Sequence, residues 1–283
     1  MRSGVATNGD VELFFFDEGD IAGVPVVFVN GAGSSAVMWC RELIDPLLEA
    51  GHRVIRFDNR DLGRSTRIPS DESYVIADLA ADVAAVMDHL GIASAHLLGR
   101  SMGGMTIMQL AGTMPERVSS MTLIYTTPAF ADAADHGLPG PQQHILDAMA
   151  AAAFEPPPKT DQERVDRRVE DTRLYIGTRY PYDADWVRQE AEDEVAHAPH
   201  AEPAHGVAVM RSDSLVPVVA TLTQPTLVLH GTADPIIDVA HGRFLAERLP
   251  NAAYVEYEGL GHEMPPPFCR EIVDPILALI TPE

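Results

Sequence analysis

Cysteine and lysine are nearly missing from this 283-residue chain. Cys40 and Cys269 are its only cysteines, and neither sits in a Cys-x-x-Cys pair or in a Cys/His ligand pattern. They make no disulfide framework and no zinc site, so the expected state is two buried, reduced thiols. Lys159 is the single lysine, every other basic residue being arginine. Long apolar runs are lacking too. The longest, Val24–Val29 and Ala148–Phe154, fall far short of the ~20 residues that cross a bilayer. Residues 1–20 hold no basic start followed by an apolar stretch, so no secretory signal is visible. A soluble, cytoplasmic protein is the expectation.

Positive charge as a whole is scarce: 20 Lys+Arg stand against 42 Asp+Glu, a formal net charge of −22. Such a surface repels phosphate backbones and anionic headgroups, which excludes nucleic acid and membranes as favoured partners. No Gly-x-Gly-x-x-Gly follows the first apolar strand, so no nicotinamide or flavin cofactor is expected. The histidines His197, His200 and His205 with Glu202 lack a helical zinc spacing and read as a solvated loop; no metal is expected.

What is present is alternation. Pro25–Asn30, Arg53–Asp58, Ala95–Gly99 and Met121–Thr126 are nearly continuous apolar runs, as strands buried on both faces of a parallel sheet must be. Helical stretches lie between them: Trp39–Ala50, Ala77–Leu90 and Met102–Met114. In the second, Leu79, Val83, Val86 and Leu90 fall at spacings of three and four. Thr226–His230 with Val239–Leu249, then Ala253–Tyr257 with Ile272–Ile280, add two strand–helix units. This alternation specifies a doubly wound, mostly parallel α/β sheet. Residues 127–222 break the rhythm with prolines at 139, 141 and 156–158 and acidic helical stretches at 161–173 and 185–194. The expected organisation is a core of 1–126 and 223–283, with 127–222 as a helical lid.

Gly99-Arg100-Ser101-Met102-Gly103 joins a strand to a helix. A serine on so sharp a turn takes a strained backbone that tolerates only small neighbours two residues away, and Gly99 and Gly103 are those neighbours. The turn presents the hydroxyl at the carboxyl edge of the sheet and aims a helix N-terminus at developing negative charge. Gly63-Arg64-Ser65 repeats the first three residues but lacks the following glycine and helix. A nucleophilic serine needs a base, and the base an orienting acid. Asp234 follows the strand at 226–230 and His262 the strand at 253–257, each in a tight or glycine-rich loop. The order Ser101, Asp234, His262 matches such a triad. Asp238 is the nearest rival acid but reads as a helix cap. The oxyanion donors are expected to be the backbone N–H groups of Ala32, in Asn30-Gly31-Ala32-Gly33, and of Met102.

Together these residues resemble the α/β-hydrolase superfamily of serine esterases and lipases over essentially the whole chain. The stretch Asp58–Ser65 is similar to the loop after the fourth strand in esterase-like members, where it implies a bracing role beneath the oxyanion loop. Leu138–Gln143 and Gly177–Tyr182 resemble the lid of aclacinomycin-type methylesterases, which cleave a methyl ester from an anthracycline polyketide. The resemblance implies an acyl-enzyme mechanism on an apolar or aromatic ester, a methyl ester of an aromatic polyketide or a lipid-like or other small ester. Lactonase, perhydrolase or C–C bond hydrolysis on the same triad, and a non-enzymatic receptor, are the other readings. Two departures bear on substrate preference: Asn30 stands where a histidine is frequent before Gly31, and Arg100 where one is frequent before Ser101. Trp39, Met105, Tyr125 and Phe130, with Tyr175, Tyr180 and Trp186 from the lid, are the candidate substrate contacts.

Overall fold

In the computed structural model, residues 1–69, 72–152, 154–156, 158–198 and 204–281 are described. The strands are β1 (Arg2–Asn8), β2 (Val11–Glu18), β3 (Pro25–Val29), β4 (Arg53–Phe57), β5 (Ala95–Arg100), β6 (Val118–Ile124), β7 (Thr226–Gly231) and β8 (Ala252–Tyr257). They form one sheet in the order β1-β2-β4-β3-β5-β6-β7-β8. From β4 to β8 every pairing is parallel, while β1, β2 and β4 pair antiparallel. The apolar-run reading placed no strand before Pro25. β1 shows no apolar run, being an edge strand in which only Ala6 is fully buried, whereas β2 carries the short run Leu13–Phe16, buried at Leu13, Phe14 and Phe15, which that reading passed over.

The helices are α1 (Arg41–Glu49), α2 (Ile76–His89), α3 (Met102–Thr113), α4 (Gln143–Ala152), α5 (Asp161–Thr172), α6 (Ala184–His197), α7 (His205–Arg211), α8 (Val216–Val219), α9 (Val239–Arg248), α10 (Pro266–Glu271) and α11 (Val273–Ile280). Successive strand residues divide between two cores, as a pleated strand covered on both sides requires. Val27, Val29 and Leu97 pack with Leu79 and Val83 of α2 and Ile107 and Leu110 of α3. Val26, Phe28 and Leu98 pack with Leu43 and Leu47 of α1 and with Phe268 and Ile276 of the C-terminal helices. Burying one such side chain contributes about 1.5–3 kcal/mol. The sheet is therefore a rigid platform for whatever its loops carry.

Chain winding reverses at β3, whose two parallel neighbours are β4 and β5. The crevice beyond the carboxyl ends of β3 and β5 is the switch point where open α/β sheets bind ligands. Between β6 and β7 the described residues are helical, from α4 to α8, with no strand. None of the described helices is long and apolar enough to cross a membrane.

One expectation is overturned. Cys40 and Cys269 are not free thiols but a disulfide, bridging residues 229 apart in sequence. α1 and α10 pack together on one face of the sheet, which brings Cys40 at the start of the first to Cys269 within the second. Spacing along the chain carries no sign of this meeting.

Candidate active site

Ser101 follows β5 with φ 52° and ψ −124°, a left-handed conformation that costs a non-glycine residue on the order of 1–3 kcal/mol. Its neighbours hold it there. Its N–H donates to the Ile124 carbonyl at 3.0 Å, and its own carbonyl accepts the Thr126 hydroxyl at 2.6 Å. Glycine at 103 is compulsory, because a Cβ there would sit 2.0 Å from the Val29 carbonyl oxygen. Ser65, in the partial repeat, instead ties loops together: its hydroxyl donates to the Asp58 carbonyl and accepts the Phe14 N–H.

Asp234 lies after β7 and is 2% exposed. Its Oδ1 accepts the N–H groups of Ile236 and Ile237, each at 2.9 Å. Its Oδ2 stands 2.6 Å from Nδ1 of His262. The His262 backbone N–H donates to the Tyr175 carbonyl at 2.6 Å, and the Tyr125 ring lies 4.4 Å from its imidazole. The histidine loop is thus clasped by the insertion between β6 and β7, which also bridges Gly177 to Leu260. Asp238, in contrast, caps α9 by accepting the Ala240 N–H at 2.9 Å.

The loop after β3 is braced from below by the loop after β4. Asp58 accepts the N–H groups of Ala36 and Arg64, and Asn59 donates to the Asn30 carbonyl at 3.3 Å. From the other side the insertion grips both loops. His197 meets the Asp58 carboxylate at 2.7 Å, and Ser35 donates to Glu194 at 2.7 Å. His205 accepts the Gly33 N–H at 3.1 Å. The reading of the lid histidines as a solvated loop is therefore wrong for His197 and His205, which are 5% and 1% exposed. Burial against partners on distant loops, invisible in local spacing, decides this. His200 and Glu202 lie outside the described residues. Among the described residues, no cluster of three His, Cys, Asp or Glu could hold a metal ion.

Ser101 and His262 share the wall of a cavity of about 670 Å³. Gly31, Ala32 and Met102 line it beside them. Of the sequence-derived contacts, Met105, Tyr125, Phe130 and Tyr175 are on the lining, whereas Trp39, Tyr180 and Trp186 are not. Trp39 packs against Phe28 of β3, ring to ring at 4.9 Å. Tyr180 donates its hydroxyl to Glu271, and Trp186 is half-buried on α6. Trp39 and Tyr180 pack with one of the two cores, which periodicity does not distinguish from a pocket wall.

Arg168 and Glu263, which also line the cavity, escaped the sequence reading. Arg168 of α5 donates to Glu263 at 2.7 Å. The Glu263 carboxylate, against the opposing effect of burial, holds the Arg168 guanidinium above its ordinary pKa. Burial of Tyr175 beside this pair pushes its phenol up to about 12. Burial and the nearby Glu263 raise the Glu190 carboxyl to about 8, and burial raises Glu194 as well. The legible trace was a glutamate directly after His262 and an arginine directly before Ser101.

Residues 24–265 match the α/β-hydrolase fold family. The chain is 35% identical to a rhodomycin D methylesterase, DnrP, of Streptomyces peucetius, over 94% of this chain and 93% of that protein. It is 29% identical to a putative carbamate hydrolase, RutD, of Variovorax paradoxus, over 89% and 90% of the two chains. Among solved structures, an esterase from Rhodococcus sp. ECU1013 superposes with a TM-score of 0.77 at 23% identity, covering 98% of each chain.

Proposed function

Because the chain belongs to the α/β-hydrolase family, we propose that this hydrolase cleaves a carboxylic ester, with Ser101 as nucleophile, His262 as base and Asp234 as orienting acid. The observation that carries this reading is the strained Ser101 turn facing the same cavity as His262, whose imidazole is held at 2.6 Å by a buried carboxylate. Asp234 takes the Nδ1–H, which leaves Nε2 as the acceptor that a general base needs.

The reaction then proceeds in two halves. His262 takes the Ser101 proton as Oγ attacks the ester carbonyl, and the backbone N–H groups of Ala32 and Met102 hold the oxyanion. Collapse breaks the C–O bond, His262 returns the proton to the departing alcohol, and an acyl-enzyme remains. Water, deprotonated by His262, attacks that acyl group, and its collapse releases the acid and restores Ser101.

The substrate we infer is a methyl ester on a polycyclic aromatic polyketide. Two relatives are rhodomycin D methylesterases, at 35% and 34% identity over 94% of this chain. A cavity of about 670 Å³ falls in the range that encloses a multi-ring ligand. In this reading residues 127–222 are the lid over a core of 1–126 and 223–283, and the lid chooses the substrate.

Turnover of methyl and aryl esters, lactones and an aromatic polyketide methyl ester, measured with wild type and Ser101→Ala, tests the assignment. Ester hydrolysis that disappears in the variant is the expected result. A folded wild type inert toward every ester overturns the function, and an S101A rate equal to wild type overturns the mechanism.

A further inference from the structure

In a chain with more than two carboxylates per basic residue, the charged residues that line the cavity are Arg100, Arg168, Arg211 and Glu263. Arg168 is neutralised by Glu263 at 2.7 Å, and Arg211 lies exposed at the end of α7. Arg100 is different. It is 5% exposed, and among the described residues no carboxylate lies within 4.0 Å of its guanidinium. Its close contacts are neutral: Asn30 Oδ1 accepts from Nη2 at 3.3 Å, and the Trp39 ring lies 4.8 Å away. Its Nε has no partner.

A buried cation without a counter-charge is costly, and native proteins pair such groups. Glu190 is the facing carboxyl from α6, in a neighbourhood shared with Glu263, Arg168 and Glu194. Burial foremost raises this carboxyl to about 8, which makes it a weak counter-charge for Arg100 at neutral pH. Arg100 lines the cavity next to Ser101, and an anion bound there would supply the missing charge.

We propose that Arg100 is the centre of an anion-recognising subsite, and that the acyl part of the substrate carries an anionic oxygen group, such as a carboxylate, that docks against it. The inference rests on the ester-hydrolase reading and adds to it the charge of the preferred substrate. Planar guanidinium suits this task, since it offers a fork of donors to two oxygens.

Matched aryl esters test it: the p-nitrophenyl esters of 3- and 4-carboxyphenylacetic acid against those of the corresponding neutral carboxamides. Wild type is expected to favour one carboxylate over its carboxamide by on the order of 10- to 100-fold in kcat/KM, the worth of a hydrogen bond to a charged group. Arg100→Gln collapses that ratio toward one, chiefly through KM for the charged ester, and Arg100→Lys restores part of it. Equal wild-type rates on charged and neutral members overturn the subsite while leaving the hydrolase reading intact. Equal losses on both members in R100Q overturn it too, since Arg100 then acts on the turn itself. Failure of wild type to cleave any of these esters counts against the hydrolase reading.

Discussion

His205 links the insertion between β6 and β7 to the loop after β3: its Nδ1 accepts the Gly33 N–H at 3.1 Å, and its Nε2 meets the Arg60 carbonyl at 2.9 Å. A carbonyl only accepts, so Nε2 must carry the proton and Nδ1 must be bare. The ring is thereby held neutral, and burial lowers its pKa in the same sense. Gly33 adjoins Ala32, so this contact positions the amide proposed to bind the oxyanion. His205→Phe keeps the ring volume and removes both bonds. Its expected effects are a fall in kcat of about tenfold or more, with KM changed less, and a stability loss of about 1–3 kcal/mol. Steady-state kinetics and urea unfolding read the two effects, and a variant with wild-type kcat would detach His205 from the site.

Asp234 and Asp238 separate by role. Asp234→Asn is expected to lower kcat by about 10⁴, because an amide at this place presents an N–H and favours the wrong imidazole tautomer. Asp238→Asn removes a charge but keeps a good cap, so its activity should stay within a few-fold of wild type. The opposite ranking in ester turnover would mean that the acid is Asp238.

The Cys40–Cys269 bridge predicts no reactive thiol in the unreduced, denatured protein, and two after reduction. Thiol titration in guanidinium decides this, and two thiols before reduction would refute the bridge. Cys40→Ala with Cys269→Ala should lower stability by about 2–4 kcal/mol, as loss of a long-range crosslink does.

Stability should pass through a maximum near pH ~6.5, the ordinary histidine value. Burial depresses His205, His230 and His241, and it brings His96 down to about 4. Below pH ~6.5 the unfolded chain binds protons at these rings that the folded chain refuses, so stability falls on acidification. The raised Glu190 and Glu194 carboxyls act oppositely. Above pH ~6.5 the histidine contributions are flat, and the raised Glu190 carboxyl makes stability fall as pH rises toward 8. Urea midpoints between pH 5 and 8.5 should show both limbs, and Glu190→Gln should flatten the alkaline one. Stability rising steadily across the whole range would refute this balance.

Much of the fold was legible because it is written in local rules. Buried parallel strands must be apolar on both faces, and the runs at 25–30, 53–58, 95–99 and 226–230 coincide with β3, β4, β5 and β7 within a residue or two. The glycines around Ser101 announce a turn whose sterics allow nothing else, as the clash of any Cβ at 103 with Val29 makes plain. Asp238 was readable as a cap from its place before an apolar helix. β1 was not readable, since it buries only Ala6 fully and so shows no apolar run.

By itself, then, the sequence determined the alternation of strands and helices, the strained serine turn and the positions of an acid and a histidine at later strand ends. Each follows from backbone sterics and side-chain periodicity acting over a few residues. Tertiary structure alone decided that Cys40 meets Cys269, that His197 and His205 are buried on the loops they clamp, and that Trp39 packs away from the cavity. It also decided that Arg100 lies buried without a carboxylate beside it. These outcomes depend on dielectric and on partners brought from dozens to hundreds of residues away, and a linear pattern holds no record of such distances.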